Sequence, residues 1–230
     1  MTTAKMTETA QTPTRPPSMY HNGAEWLDDL GDVPLNRVIF DPWPGTATED
    51  DLLQKLEAED IACELINGTL VEKPVGMYES QLAAVLIQIL MNYIVPRGLG
   101  LASGGDGPLR LKLGLVRLPD VAFASTQRLR EADVRRNPIP TLAPDLAVEI
   151  LSKSNTRKEI ERKTREYLAA GARLVWVINP ETRSAVVHTS ADRAETIDAN
   201  GKLEGREVLP GFELSLGELF STVDKILEPR

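Results

Sequence analysis

The sequence is poor in the residues on which much enzyme chemistry rests. It holds one cysteine, Cys63, so no intrachain disulfide can form and no cysteine-based zinc site is available. It holds two histidines, His21 and His188, and His21 lies in a Thr/Pro-rich stretch. Ser-His-Asp hydrolysis, histidine-rich metal centres and most histidine acid–base schemes are thereby set aside. No apolar run reaches the roughly 20 residues needed to cross a bilayer, and the most apolar stretch, Leu82 to Val95, is broken by Gln88 and Asn92. The N-terminus lacks the charged, apolar and small-residue succession of a secretory signal. Both absences point to a cytoplasmic protein with no membrane partner. Hydrolytic chemistry in such a chain has to run on carboxylates, lysines and a hard metal ion.

What is present fits one ordinary domain. The chain has 230 residues, 42% of them hydrophobic, enough for a real core. Residues 1–30 are rich in Thr, Pro, Ala and Ser and read as a disordered tail, which leaves 31–230 as a single domain. The net charge of −8 argues against a protein coated in nucleic acid. The charge is unevenly spread: Arg110 to Arg173 carries 14 Lys/Arg against 8 Asp/Glu, and the remainder 12 against 26.

Periodicity and turn chemistry predict the elements. Thr46-Ala47-Thr48-Glu49 has capping-box spacing and opens a helix through about Leu56. Asn67-Gly68 between two apolar-rich runs predicts a β-hairpin over 63–72, because both residues accept positive φ. A long helix follows over 79–93, with Leu82, Leu86, Ile89 and Tyr93 on one face and Val85 and Leu90 widening it. Leu109, Leu111 and Leu113 alternate with charged residues as in a half-buried strand, and 118–124 forms another. The stretch 128–143 reads as a loop. Leu146 to Leu151 is a buried strand, 156–170 a charged helix stopped by Gly171, and 174–178 a second buried strand. Strand, helix, strand suggests a parallel crossover in a central sheet. A strand over 185–189, two short strands and a helix near 216–226 complete the chain.

Glu149 is the most informative residue, since every neighbour in Leu146-Ala147-Val148-Glu149-Ile150-Leu151 is apolar. A carboxylate removed from water costs several kcal/mol unless paired, protonated or bound to a cation. An arginine partner, a strand end open to water and a bound cation all satisfy that requirement. Asp120, after Pro119, is either a turn aspartate or a partner brought to Glu149 by strand pairing. Asp145 is excluded as that partner: four residues along one strand separate it from Glu149 by roughly 13 Å, too far to share one ion that holds oxygens at about 2.1 Å. Lys163 lies at the edge of the inward stripe Ile160, Thr164, Tyr167 and Gly171. There it either snorkels over the core or turns its ammonium towards Glu149. Glu79 sits in the first turn of the long helix, where the dipole alone would stabilise it. Glu64, on the hairpin, is a weaker candidate.

The segments Arg117-Leu118-Pro119-Asp120-Val121, Pro144-Asp145-Leu146-Ala147-Val148-Glu149-Ile150-Leu151-Ser152, Lys163-Thr164-Arg165-Glu166-Tyr167 and Val175-Trp176-Val177-Ile178-Asn179-Pro180 occur in order. Glu64-Leu65-Ile66-Asn67-Gly68 precedes them and Leu209-Pro210-Gly211-Phe212 follows. The ordered set, spanning about Thr46 to Leu219, resembles the Uma family of restriction-endonuclease-like proteins. The resemblance implies an α/β (α+β mixed) fold with a PD-(D/E)XK nuclease core, a mixed central sheet flanked by helices, preceded by a helix and β-hairpin. It implies Asp120 as the aspartate, Glu149 as the second acid and Lys163 as the lysine, because Leu151 stands where the usual lysine would follow Glu149. Glu79 falls where many relatives have a histidine and could add a metal ligand. On that resemblance Asp120 and Glu149 would hold magnesium or manganese, activating water and neutralising phosphate, and Lys163 would orient the water or stabilise the transition state. The implied partner is DNA, with a homodimer as a further expectation. The alternative is an inactive module that kept the fold.

Overall fold

A computed structural model describes residues 20–74 and 76–227. Its elements are, in chain order, α1 (Gly23–Leu30), β1 (Val38–Ile39), α2 (Glu49–Glu57), β2 (Cys63–Ile66), β3 (Thr69–Glu72), α3 (Met77–Ile94), β4 (Gly100–Gly104), β5 (Leu109–Lys112), β6 (Leu115–Arg117), β7 (Val121–Ser125), α4 (Thr126–Glu131), β8 (Leu146–Ile150), α5 (Arg157–Ala170), β9 (Leu174–Asn179), β10 (Ser184–Ser190), β11 (Arg193–Ile197), β12 (Lys202–Glu204), β13 (Glu213–Ser215) and α6 (Leu216–Leu227). The expected mixed α/β architecture is present.

Two sheets organise the molecule. One has strand order β1-β3-β2-β6-β5 and is built on the hairpin; the other has order β11-β10-β9-β8-β7-β4. At the hairpin, Asn67 and Gly68 both take positive φ, 49° and 75°, so the turn twists with its strands. In the larger sheet β8 and β9 are parallel and α5 makes the crossover, as the strand–helix–strand pattern predicts. The chain passes from the first sheet to the second between β6 and β7, through Leu118-Pro119-Asp120. The strand expected over 118–124 is therefore shorter: it starts at Val121 as β7, and 118–120 is the connection from β6, where Pro119 has no N–H for a ladder.

The period of two along β8 and β9 sorts their side chains between two cores. Leu146, Val148 and Ile150 meet α3 through Leu82, Leu86, Leu90 and Ile94, with α6 beside it. Each of those leucines, fully buried, contributes roughly 1.5–3 kcal/mol. Ala147, Val175 and Val177 face α5 through Ile160 and Tyr167. Glu149 shares parity with Ala147 and is delivered to the α5 side.

Three local expectations are corrected. The cap of α2 is Thr48, boxed with Asp51, not Thr46 with Glu49: Thr46 instead hydrogen-bonds Trp43 in a turn. The stretch 20–30 is structured, since Asn22 caps α1 and Gly31 ends it in the left-handed conformation; residues 1–19 of the expected tail lie outside the described residues. The stretch 128–143 begins inside a short helix, α4. Strand β4 escaped the sequence reading because Gly100-Leu101-Ala102-Ser103-Gly104 carries little apolar alternation. None of the described helices is long and apolar enough to cross a membrane.

Candidate functional site

The antiparallel register of β7 and β8 pairs Val121 with Val148. Continued by one residue, it sets Asp120 opposite Glu149, where the two sheets part. Asp120 Oδ2 accepts the Ile150 N–H at 2.6 Å, and its side chain keeps 20% exposure. It lines an open cleft of about 420 Å³ together with Lys73, Glu79, Asp106, Ile150 and Ser152.

Glu149 sits deeper, 3% exposed. Lys163 Nζ donates to its Oε2 at 3.0 Å and the Tyr167 hydroxyl donates to its Oε1 at 2.6 Å. Lys163 is 1% exposed. It does not snorkel: its ammonium lies between Glu149 and Glu64, whose Oε1 is 3.1 Å away. Helix α5 turns Lys163 and Tyr167 to the sheet because they stand one turn apart. The lysine is thus anchored behind Glu149 and is not part of the cleft wall.

Glu64 is more than a minor candidate. Its Oε1 accepts the Leu118 N–H at 3.0 Å and its Oε2 pairs with Arg117 at 2.7 Å. Arg117 also holds Glu166 at 2.6 Å. Burial opposes ionisation of Glu64, but Lys163, Arg117 and the Leu118 N–H outweigh it and hold the carboxyl down at about 2. Glu149 moves the other way. Burial raises it, Lys163 opposes the rise, and the neighbouring Asp120 and Glu64 add to it. Burial disfavours the charge of Lys163 too, yet Glu149 and Glu64 prevail and keep it protonated. Tyr167 is raised by burial and by Glu149, so it stays a neutral donor.

Lys73 was missed by the sequence reading. It follows β3, is buried, and its Nζ meets Asp120 Oδ1 at 2.8 Å and donates to Leu118 O at 2.7 Å. No periodicity marks a lysine in Glu72-Lys73-Pro74. Glu79 shares the cleft, but its carboxylate folds back over Gly76, where an added Cβ would meet Oε2 at 1.8 Å. That posture suits a first-turn acid stabilised by its helix. Asp145 is structural: it takes the Ser125 N–H and pairs with Arg173 and Arg128.

The cleft offers carboxylate, hydroxyl and carbonyl oxygens and neither histidine nor cysteine, a donor set that suits magnesium or manganese over zinc. Asp120 Oδ1 and Leu118 O already converge on one positive charge, the Lys73 ammonium. Among the described residues no three of His, Cys, Asp and Glu are gathered to hold a metal, so Asp120, Glu149 and Glu79 do not form one cluster. Much of the basic surplus between Arg110 and Arg173 is neutralised within the fold. Arg110 pairs with Glu49, Arg117 with Glu64 and Glu166, and Lys158 with Asp28 and Asp32.

Nothing among curated proteins matches the chain. A solved structure does, described as "a putative nuclease belonging to DUF820" from Anabaena variabilis ATCC 29413. The two share 21% identity over 76% of this chain and 98% of that one, with a TM-score of 0.67. The likeness establishes a common fold. The family model Uma2, described as "Putative restriction endonuclease", matches residues 49–217. That span runs from the start of α2 into α6 and contains Glu64, Lys73, Asp120, Glu149 and Lys163, and the chain accordingly belongs to the Uma2 family of restriction-endonuclease-like proteins.

Proposed function

We propose that the protein is an endonuclease that hydrolyses phosphodiester bonds in DNA with magnesium or manganese, in the cytoplasm. The observation that carries this reading is the juxtaposition of Asp120 with Glu149 across β7 and β8, where Asp120 opens on a cleft. Asp120 and Glu149 would hold the ion; Glu79 lines the same cleft but turns its carboxylate back over Gly76. Once bound, such an ion lowers the pKa of water and neutralises charge on the phosphate. The chain's own residues do the rest. The Ile150 N–H fixes the Asp120 carboxylate, and Lys163 and Tyr167 fix that of Glu149. Lys163 acts through Glu149, so it is a positioning residue rather than one that touches substrate. A dimer would bring two such clefts to one duplex; sedimentation measures that directly.

Plasmid DNA incubated with the protein and magnesium or manganese should be nicked or linearised. Asp120→Ala and Glu149→Ala should each lose about a hundredfold or more of the rate, the scale of removing a catalytic electrostatic group. Equal cleavage by wild type and the double variant would overturn the reading.

A second reading has its own support. Both Glu149 oxygens are already engaged, Leu151 stands where the usual lysine would be, and the net charge is −8. These suit a module that binds or assembles without cleaving. Calorimetric titration with magnesium separates the two: saturable binding lost in Glu149→Ala counts against the inactive module.

A further inference from the structure

The place beside Asp120 where a cation belongs is held by the protein's own ammonium. Lys73 Nζ touches Asp120 Oδ1 and the Leu118 carbonyl oxygen, at 2.8 and 2.7 Å. The lysine is 8% exposed and its carbon chain runs along the cleft wall shared with Asp120, Glu79 and Asp106. A lysine is a compact point charge on a flexible stem, so it can occupy such a position and leave it. The backbone makes room for it there. A Cβ at Gly105 would lie 2.6 Å from Lys73 Nζ and 3.6 Å from the Asp120 Cα, so a larger residue here would crowd the ammonium and make the end of the lysine shift. Main-chain contact holds the base of the side chain, since the Lys73 N–H donates to Ala62 O at 2.8 Å.

We infer that Lys73 is a resident counter-cation that a divalent ion must displace from Asp120, so that the lysine sets the protein's metal affinity. This rests on the proposal that Asp120 holds such an ion. One carboxylate oxygen cannot keep a close ammonium and an inner-sphere magnesium or manganese together without two cations in mutual repulsion. Binding therefore exchanges one positive charge for another. In the metal-free protein, Lys73 keeps Asp120 paired where its other oxygen is already committed to Ile150. In the metal-bound protein, the freed ammonium stays in the cleft, tethered at β3, where it can meet a phosphate oxygen.

The test is calorimetric titration of manganese chloride into the full chain, comparing wild type, Lys73→Met, Gly105→Ala and the double variant Lys73→Met/Asp120→Asn. An ion pair buried to this degree competes at the level of about tenfold. Lys73→Met should therefore bind manganese about tenfold more tightly than wild type. Gly105→Ala keeps the lysine but crowds its flexible end against Asp120, and should shift affinity in the same direction by a smaller factor. It serves as the decisive variant if Lys73→Met does not fold. The double variant should lose the binding. Thermal melts give a second readout: Lys73→Met should melt below wild type in chelator and recover with manganese. If wild type binds manganese and neither single variant binds it more tightly, the inference fails while the metal reading of Asp120 stands. If no variant binds manganese at all, both fail together.

Discussion

At the scale of single residues, one buried network decides what the site can do. Glu64, Glu149, Lys163 and Arg117 are paired with one another out of reach of water, and the neutral Tyr167 hydroxyl donates to Glu149. Removing one member leaves the rest uncompensated, which for a buried pair costs about 3 to 5 kcal/mol. Glu64→Gln should show this at neutral pH, since Arg117 and Lys163 both lose a negative partner. The sign with pH follows from the depressed carboxyl. Its stabilisation is present above the ordinary value of 4.5 and is lost as pH falls towards about 2. Urea unfolding of wild type and Glu64→Gln at a series of pH values should give a gap that is full at pH 7 and narrows below about pH 4.5. A gap independent of pH would show that Glu64 acts by shape rather than charge. Part of this network was legible in the chain. Glu149 announces itself as a lone carboxylate in an apolar strand. Lys163 does not, because its helical position sits on the boundary between inward and outward faces, and only the carboxylates on β2 and β8 decide which way it turns. Lys73 left no trace, since its role comes from a chain crossing between sheets that no local pattern encodes.

At the scale of elements, the site depends on how β7, β8 and α5 are started and stopped. Helix α5 begins with Thr156 boxed to Glu159. The Thr156 hydroxyl also donates to Gly31 O, while Glu159 carries a buried pair with Arg37 at 2.7 Å. This cap fixes the rotation of the helix that presents Lys163 and Tyr167. Thr156→Ala should cost about 1 to 2 kcal/mol of stability, the range for losing such a cap, measured as a lowered urea midpoint with unchanged slope. An unchanged midpoint would contradict the cap's role. Elements with strong local signals were readable: the Asn67-Gly68 hairpin, the Gly171 stop and the β8–α5–β9 crossover. Elements defined by their neighbours were not. Helix α1 is short and is held by Leu30 packed with Val33, Val38 and Ile66, with Trp26 beside them, while the break at Pro119 becomes visible only when β6 and β7 join separate sheets.

At the scale of the whole molecule, the fold places chemistry where two sheets part. The hairpin sheet supplies Glu64 and, just after β3, Lys73; the central sheet supplies Glu149 and β7, at whose start Asp120 stands; α5 locks the back of the site with Lys163. Fold class could be reached from the chain because strand–helix–strand patterning and ordered motifs constrain it. The basic segment promised more than the molecule delivers, since much of it closes ion pairs with acidic residues from distant parts of the chain. A metal ion at Asp120 and Glu149, more than a basic surface, is what the proposed cleavage requires. The most direct test is a crystal structure of the protein grown with manganese chloride, with anomalous diffraction used to locate the ion. A manganese peak is expected within coordinating distance of Asp120 and Glu149, with the Lys73 ammonium withdrawn from Asp120. A cleft without manganese and Lys73 still seated on Asp120, at manganese concentrations that support DNA cleavage, would contradict it.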